Sequence, residues 1–302
     1  MNLQTTLGPV ELRSPLIAAS GTVGSVTDFG QSIDYSVYGA AVAKSVSPEP
    51  WDGRPAPRMA PAGGGMLNGI GIQNPGIAAW LATYGNDIEN CGVPVWGSVV
   101  SHDIAGFADV ALAMSDTALQ AIEVNLSCPN LDGLPFALDA ELSARVVAAV
   151  RASTTLPIGA KLSPDAHPIA EVAAAVAEAG ADWVVVANTV MGSSIDPHTR
   201  RPRLSGLVGG YSGDAIRPIT VRCVLEVSEA CPTLPIVACG GVSHADHVVE
   251  YLLAGASAVA IGTAHLAKPR IASSVASGLR KYGARHKLES VNELKGAYEP
   301  WQ

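Results

Sequence analysis

The sequence predicts an α/β protein whose strands form a (β/α)8 barrel. Eight short apolar runs recur along the chain, at 16–19, 40–43, 94–97, 121–124, 157–160, 183–186, 235–238 and 258–261. Helical patterns lie between them, and two of these patterns, 171–180 and 245–255, end at Gly180 and Gly255, where helices commonly stop. Eight strands that alternate with helices are typical of this barrel.

Length and composition agree with one large core. The chain has 302 residues, of which 48% are hydrophobic and 15% charged, so we expect a single domain over residues 1–302. The net charge of −8 argues against nucleic acid as a partner. Mean hydropathy is +0.26, yet no run approaches the roughly 18 apolar residues that span a bilayer. Residues 1–13 do not resemble a secretory signal, so we expect a cytoplasmic enzyme without membrane contact.

The elements outside the predicted barrel are a hairpin and two long insertions. Residues 3–7 and 10–12 flank Gly8-Pro9, which predicts an N-terminal β-hairpin that closes the barrel floor. The segment 48–75 is rich in glycine and proline, and it and a second insertion at 191–213 follow barrel strands on the catalytic side. Long insertions at this place are commonly binding loops or lids.

Each predicted strand ends in a polar residue or a glycine. The residues at these ends are Ser20, Lys44, Ser45, Ser98, Asn125, Lys161, Asn188, Thr189, Gly240, Gly241, Gly262 and Thr263. Active sites of barrels lie at the carboxyl ends of the strands, and the last two loops often bind phosphate through backbone N–H groups. A Gly-Gly pair alone is common in turns, but glycines at both of these ends together favour a phosphate site.

The lysines and one cysteine leave two kinds of chemistry open. Lys44 and Lys161 at strand ends allow a Schiff-base aldolase or a site that holds a redox cofactor. Cys128 follows the fourth strand in Asn125-Leu126-Ser127-Cys128-Pro129-Asn130, where a thiol could act as a base beneath a planar ligand held by amides. The other four cysteines show no metal-ligand spacing, and we interpret them as structural and the histidines as surface or loop residues.

The chain resembles the dihydroorotate dehydrogenases along nearly its whole length. The segments that carry the resemblance are 19–21, 44–45, 66–76, 125–130, 161–164, 188–192, 212–216, 240–242 and 255–263. The resemblance implies a barrel that binds FMN and oxidises dihydroorotate to orotate in pyrimidine biosynthesis. It also implies that Cys128 removes the C5 proton while hydride leaves C6 for the flavin. A cysteine in this role, in place of serine, is similar to class 1 of the family.

The resemblance implies roles for two sets of residues. Those expected to bind FMN are Ser20, Lys44, Ser45, Ser98, Asn125, Lys161, Ala187, Gly213, Gly240, Gly241, Gly262 and Thr263. Those expected to bind the pyrimidine are Lys44, Asn68, Gly69, Ile70, Gly71, Ile72, Asn125, Asn130, Asn188 and Thr189. Side-chain amides suit orotate because they donate and accept hydrogen bonds.

Within class 1, residues 68–74 resemble type B. That resemblance implies a homodimeric core joined by a subunit that carries FAD and a [2Fe–2S] cluster and passes electrons to NAD. Two departures are Ser98, where type B relatives carry asparagine, and a short loop at 131–136. Alternatives are a type A-like enzyme that uses fumarate, an oxidoreductase like dihydropyrimidine dehydrogenase, and a non-catalytic flavin or phosphate-binding scaffold.

Overall fold

The predicted barrel is present. A computed structural model describes residues 1–25, 28–126 and 136–301. Within these residues the strands are β1 (Thr5–Leu7), β2 (Val10–Leu12), β3 (Leu16–Ala18), β4 (Ala40–Val42), β5 (Met59–Ala62), β6 (Gly65–Asn68), β7 (Val95–Val99), β8 (Ala121–Asn125), β9 (Ile158–Lys161), β10 (Trp183–Val186), β11 (Val190–Gly192), β12 (Ile195–Asp196), β13 (Arg201–Pro202), β14 (Gly209–Ser212), β15 (Ile236–Cys239) and β16 (Ala258–Ile261).

The α-helices of the described residues lie mainly between barrel strands. They are α1 (Ile77–Tyr84), α2 (Ile104–Ser115), α3 (Ala140–Ser153), α4 (Ile169–Glu178), α5 (Arg217–Ala230), α6 (Ala245–Leu253), α7 (Ala264–Ala267) and α8 (Ile271–His286). Asp103 and Asp139 are the N-cap residues of α2 and α3, and each carboxylate accepts a hydrogen bond from a backbone N–H of the first turn. The predicted helices at 171–180 and 245–255 correspond to α4 and α6.

The barrel closes in the order β10-β15-β16-β3-β4-β7-β8-β9, and all its pairs are parallel. Closure joins the first and last barrel strands, since Ala18 of β3 lies opposite Ile261 of β16. The eight apolar runs coincide with these strands to within one or two residues. They were recognisable because a strand covered by helices outside and by side chains inside has apolar residues on both faces.

Two tryptophans fill the lower part of the barrel. Trp96 and Trp183 are fully buried, and their ring centroids lie 5.0 Å apart. Gly159 makes room for them, because a Cβ there would collide with the indole nitrogen of Trp183. Leu7 and Leu12 of the β1-β2 hairpin belong to the same apolar cluster. The hairpin therefore closes the barrel floor, as the sequence predicted.

The two insertions combine into one antiparallel sheet in the order β11-β14-β6-β5, which we call the roof sheet. Leu67 of β6 pairs with Tyr211 of β14, so the segment after the second barrel strand meets the segment after the sixth. The backbones approach closely at Gly65, where a Cβ would collide with the carbonyl oxygen of Ser212. The sequence predicted both insertions on the catalytic side but not their pairing.

Within the described ranges, none of the helices has both the length and the apolar character needed to cross a bilayer.

Candidate active site

Two adjoining cavities lie at the carboxyl ends of the barrel strands. One has a volume of about 560 Å³ and is walled by glycines; we call it the glycine cavity. The other has a volume of about 1060 Å³ including its open mouth and is walled by amides; we call it the amide cavity. Lys161, Asn188 and Thr189 line both, so a ligand in one lies beside a ligand in the other.

The glycines allow the backbone to approach a ligand closely. Gly241 has φ +63°, and a Cβ there would lie 2.9 Å from both the Gly213 carbonyl oxygen and the Arg217 Cβ. Gly213 has φ +109°, and its Cβ would lie 2.7 Å from the Cα of Gly65. Only glycine is comfortable at positive φ with so little room, so the backbone itself forms this wall.

A third glycine keeps space open in the glycine cavity. A Cβ on Gly262 would meet only Ala19 Cβ at 3.6 Å and Thr22 Cγ2 at 3.9 Å, and all three residues line the cavity. A side chain at this position would therefore occupy volume that a ligand needs. Backbone at the ends of the last two barrel strands is the usual phosphate site of such barrels, and this wall fits a phosphate-bearing ligand.

The amides of the second cavity are held by hydrogen bonds to one another and to neighbouring polar groups. Asn125 donates from Nδ2 to Ser45 Oγ at 3.0 Å, and Asn188 donates from Nδ2 to Asn125 Oδ1 at 3.5 Å. Asn188 Oδ1 accepts from the backbone N–H of Thr189 at 2.8 Å. These contacts fix which end of each amide is donor and which is acceptor. Fixed amides can bind a planar ligand that carries both N–H and C=O groups.

Asn68 brings the roof sheet into the same cavity. Its Nδ2 donates to the Gly210 carbonyl oxygen at 3.2 Å across the β6-β14 pair. Met59 and Met66, also in the roof sheet, line the cavity. The ligand space is therefore enclosed between barrel strand ends below and the roof sheet above.

A buried ion pair lies at the floor of both cavities. Lys161 Nζ is 3.6 Å from Glu123 Oε1, and the side chains are 7% and 4% exposed. Cys239 lies near both groups: burial raises the pKa of its thiol, while the charge of Lys161 lowers it and that of Glu123 raises it. Lys161 was predictable as a site residue from its place at a strand end, whereas Glu123 and Cys239 were not predicted.

Most of the predicted site residues meet at these cavities. Those that line one or both are Ser20, Lys44, Ser45, Asn68, Ile70, Ile72, Asn125, Lys161, Ala187, Asn188, Thr189, Gly213, Gly240, Gly241, Gly262 and Thr263. Cys128 and Asn130, together with loop residues 131–135, lie outside the described residues.

Three predicted residues do not belong to the cavity walls. Ser98 is fully buried behind Ser45, and their hydroxyl oxygens are 2.9 Å apart. Gly69 and Gly71 lie between wall residues, and a Cβ on either would point toward Arg54. Ser98 therefore supports a wall residue, and its contact with a ligand would pass through Ser45.

Several wall residues were missed by sequence reasoning. They are Ala19, Thr22, Met59, Met66, Ser212, Asp214, Ile216, Cys239, Val242, Ala264 and Leu266. Six of these residues lie within segments that carry the resemblance, so their place in the sequence was a usable signal; they are Ala19, Met66, Ser212, Asp214, Ile216 and Val242. Cys239 had been interpreted as structural, because an inward-facing strand residue near the cavity has the same local pattern as one deeper in the core.

One histidine corrects the interpretation of the histidines as surface or loop residues. His265 is 3% exposed, with Nδ1 3.0 Å from Thr22 Oγ1 and Nε2 2.5 Å from the Tyr38 hydroxyl. Because Thr22 lines both cavities, this buried network stands directly behind their wall.

Comparisons with known proteins agree in sequence and fold. A sequence model of the family described as dihydroorotate dehydrogenase matches residues 2–282. The chain is 35% identical over 299 residues to the dihydroorotate dehydrogenase B (NAD(+)), catalytic subunit, of Alkaliphilus metalliredigens (strain QYMF), covering 98% of this chain and 99% of that protein. It is 39% identical over 297 residues to the protein of the same name from Bacillus pumilus (strain SAFR-032), covering 97% and 96%.

A solved structure has the same fold. It is that of DHODH from Eimeria tenella in complex with ferulenol, with a TM-score of 0.84, 18% identity, and coverage of 98% of this chain and 88% of that one. At that identity the likeness concerns the fold alone. The family assignment comes from the sequence matches, which span nearly the whole chain: the protein belongs to the dihydroorotate dehydrogenase family.

Proposed function

We propose that this chain oxidises dihydroorotate to orotate in pyrimidine biosynthesis, with FMN as its cofactor. The observation that carries the proposal is the junction of the two cavities: a glycine-walled space suited to a phosphate opens onto an amide-lined space suited to a pyrimidine. Lys161 belongs to both walls. Family membership and the names of the relatives supply the substrate.

FMN would lie in the glycine cavity. The backbone of Gly240, Gly241, Gly262 and Thr263 would bind its phosphate, and Lys161 would lie against the ring. When bound, FMN supplies an acceptor for the two electrons of the oxidation. The ammonium of Lys161 stabilises negative charge that develops on its side of the cavity, and little water competes, because the side chain is 7% exposed.

Dihydroorotate would lie in the amide cavity. Asn68, Asn125, Asn188 and Thr189 line this cavity and would bind the ring N–H and C=O groups and the carboxylate. Lys44 contributes a positive charge to the same wall, which suits an anionic substrate. The hydrogen bond from Asn125 to Ser45 and that from Asn188 to Asn125 hold the amides before the substrate arrives, so less ordering remains to be done on binding.

Cys128 is the proposed base that removes the C5 proton. It follows Asn125 by three positions in the sequence, and Asn125 both ends β8 and lines the amide cavity. The thiolate is the form that accepts a proton, and its ordinary pKa near 8.5 is close enough to neutral for this task. The proton therefore passes from C5 of the substrate to Sγ of Cys128.

The electron acceptor is proposed to be NAD, reached through a second subunit that carries FAD and a [2Fe–2S] cluster. The names of the relatives contain both NAD(+) and the words catalytic subunit, which supports a division of labour between chains. Two copies of this chain would form the core of that assembly.

Visible spectroscopy of the purified chain tests the proposal. We expect a yellow protein that is bleached by dihydroorotate under anaerobic conditions. Fumarate should not restore the colour of the isolated chain, whereas NAD should do so once the partner subunit is added. A chain that stays colourless after reconstitution with FMN, or a yellow chain indifferent to dihydroorotate, would contradict the proposal, and recovery with fumarate would indicate a type A-like enzyme.

A further inference from the structure

Glu123 lies inside the barrel, one layer beneath the cavity floor. It is two residues before Asn125 on β8, so both side chains leave the strand on the same face, and Asn125 lines the amide cavity. In the register with β9, Asn125 lies opposite Lys161 and Glu123 lies opposite Gly159. Because Gly159 has no side chain, the Lys161 side chain is the nearest one on β9 that can balance the carboxylate.

The separation of the two charges is that of an ion pair without a hydrogen bond. Nζ of Lys161 is 3.6 Å from Oε1 of Glu123, and among the described residues no donor lies within hydrogen-bond distance of that oxygen. Removing both charges from water costs several kcal/mol for each ion, which their mutual attraction must offset. The buried pair is therefore not explained by a gain in stability alone.

Within residues 1–25, 28–126 and 136–301, three other charged or titratable groups near Lys161 differ from Glu123 in charge or in partner. Lys44, in the amide cavity wall, has the same charge as Lys161. Cys239 on β15 faces the pair, and burial raises the pKa of its thiol, which favours the neutral form. Asp214 lines the glycine cavity, and its carboxylate accepts a hydrogen bond from Ser243 at 2.8 Å. Glu123 is thus the carboxylate within ion-pair distance of Lys161 among the described residues.

We propose that Glu123 is a positioning residue that keeps Lys161 protonated at the cavity floor, so that an ammonium group faces the cofactor ring before and after its reduction. This inference rests on the proposed function, because it needs a flavin in the glycine cavity. It assigns to Glu123 no contact with substrate or cofactor. Its effect passes entirely through the charge and position of Lys161.

The Glu123→Gln variant tests the role of the carboxylate charge while keeping the size of the side chain. Glutamine has nearly the same volume, but it removes the negative charge beside Nζ. Lys161 is then a buried ammonium that has lost this ion pair and still has Lys44 in the neighbouring wall. Desolvation and a like charge both favour the neutral amine, so the proton of Lys161 should be lost at a lower pH than in the parent chain.

The binding of sulfite to the FMN-loaded protein gives a readout that is independent of turnover. The sulfur lone pair forms a bond to flavin N5, and the ring gains a negative charge that a nearby ammonium stabilises. The dissociation constant of this adduct is measured from the loss of flavin absorbance. At each pH, the constant of the variant is divided by that of the parent, because the ionisation of sulfite affects both constants equally. We expect that ratio to rise about tenfold between about pH 6.5 and about pH 8.5 in Glu123→Gln.

Glu250→Gln is the matched control, because it removes the carboxylate of an ion pair with Arg217 at 2.9 Å that lies outside both cavities. For this variant, the ratio of the sulfite dissociation constants of variant and parent should not change with pH. A ratio for Glu123→Gln that does not change with pH would overturn the proposal. A colourless parent chain would instead overturn the proposed function, and this inference with it.

The double variant Lys161→Met/Glu123→Gln keeps the proposal falsifiable if Glu123→Gln alone does not hold flavin. It removes both charges together, so no unbalanced charge is left buried. We expect it to bind FMN and to form a weak adduct whose ratio to the parent does not change with pH, because Lys161 stays protonated in the parent and is absent from the double variant. Failure of the double variant to bind FMN where Lys161→Met does so would show that Glu123 acts independently of Lys161.

Discussion

Asn125 donates a hydrogen bond from its side-chain amide to the hydroxyl of Ser45 at 3.0 Å, which joins the carboxyl end of β8 to the residue that follows β4 by three positions. The same hydroxyl oxygen lies 2.9 Å from that of Ser98. The orientation of this amide in the amide cavity is thus set by its direct contact with Ser45, and Ser98 contacts Ser45 but not the amide.

Replacing Ser45 by alanine should weaken orotate binding. Asn125 loses the acceptor that holds its amide, and a hydrogen bond of this kind contributes about 1 kcal/mol, or about fivefold in the dissociation constant. Titration of the FMN-loaded protein with orotate, followed by the change in flavin absorbance, measures the effect. Ser98→Ala is the control, since it keeps the Asn125 contact and should change the constant less than about twofold. Equal effects in both variants would contradict this role for Ser45.

Cys128→Ala should lower kcat/KM by at least about a hundredfold, because a positioned base commonly contributes that much or more. FMN content and orotate affinity should be retained. Cys128→Ser should also turn over slowly and gain activity as the pH rises, since a hydroxyl is a far weaker acid than a thiol. Stopped-flow reduction by dihydroorotate measures both. The control is Cys231→Ala, because this cysteine follows α5 outside the cavity walls, and its kcat/KM should equal that of the parent. Near-full turnover of Cys128→Ala would exclude the thiol as the base.

Gly241→Ala should weaken FMN binding. Its Cβ would lie 2.9 Å from the Gly213 carbonyl oxygen, so the wall of the glycine cavity would have to shift. Gly92→Ala is the control: Gly92 also has positive φ, at +75°, but its Cβ would meet nothing within 4 Å. Both variants should lose about 1 kcal/mol of unfolding free energy from the left-handed backbone. Only Gly241→Ala should lower FMN affinity, measured by fluorescence quenching; equal affinities would argue against close backbone approach to the cofactor.

The buried histidine should make stability depend on pH. Burial lowers the pKa of His265 to about 4, from an ordinary value of 6.5. The folded state therefore disfavours the proton that the unfolded state accepts below pH 6.5, and stability present above that pH is lost as the pH falls toward 4. Between pH 7.5 and pH 5.5 this group alone should lower the free energy of unfolding by about 1 kcal/mol.

Urea unfolding of parent and His265→Asn at the two pH values measures this contribution by difference. The hydrogen bonds define the neutral form: Thr22 Oγ1 donates to the Ala19 carbonyl oxygen, so it accepts from His265 Nδ1–H, while Nε2 accepts from the Tyr38 hydroxyl. The variant should be less stable than the parent at pH 7.5, with a smaller dependence on pH. Identical pH dependence in the two proteins would show that His265 titrates normally.

The barrel could be predicted from the sequence because its strands carry the strongest local signal. Val184, Val185 and Val186 follow Trp183 without a polar interruption, which only a strand buried on both sides requires. The roof sheet gave no such signal. Its strands, such as Gly209–Ser212, are short and rich in glycine, and their pairing partners lie far away in the sequence.

The site could be predicted where its chemistry depends on residue type at a strand end, as for Lys161 and Asn125. Glu123 could not, because a single acidic residue inside an apolar run does not reveal which charge will lie opposite it. His265 was misinterpreted for a similar reason: its partners Tyr38 and Thr22 are more than two hundred positions away, and its burial comes from that tertiary contact.

The β6-β14 pair has a consequence for the order in which the molecule is assembled. Asn68 and Gly210, which meet in this pair, are 142 positions apart. A chain growing from its amino terminus can therefore pair β6 with β5, but not with β14, until six of the eight barrel strands have been made. Contacts between distant segments form late, because the loss of chain entropy precedes the gain from pairing. A chain arrested before residue 209 lacks the roof strand β14 and also β15 and β16, so neither the cover nor the glycine-walled part of the floor has been made.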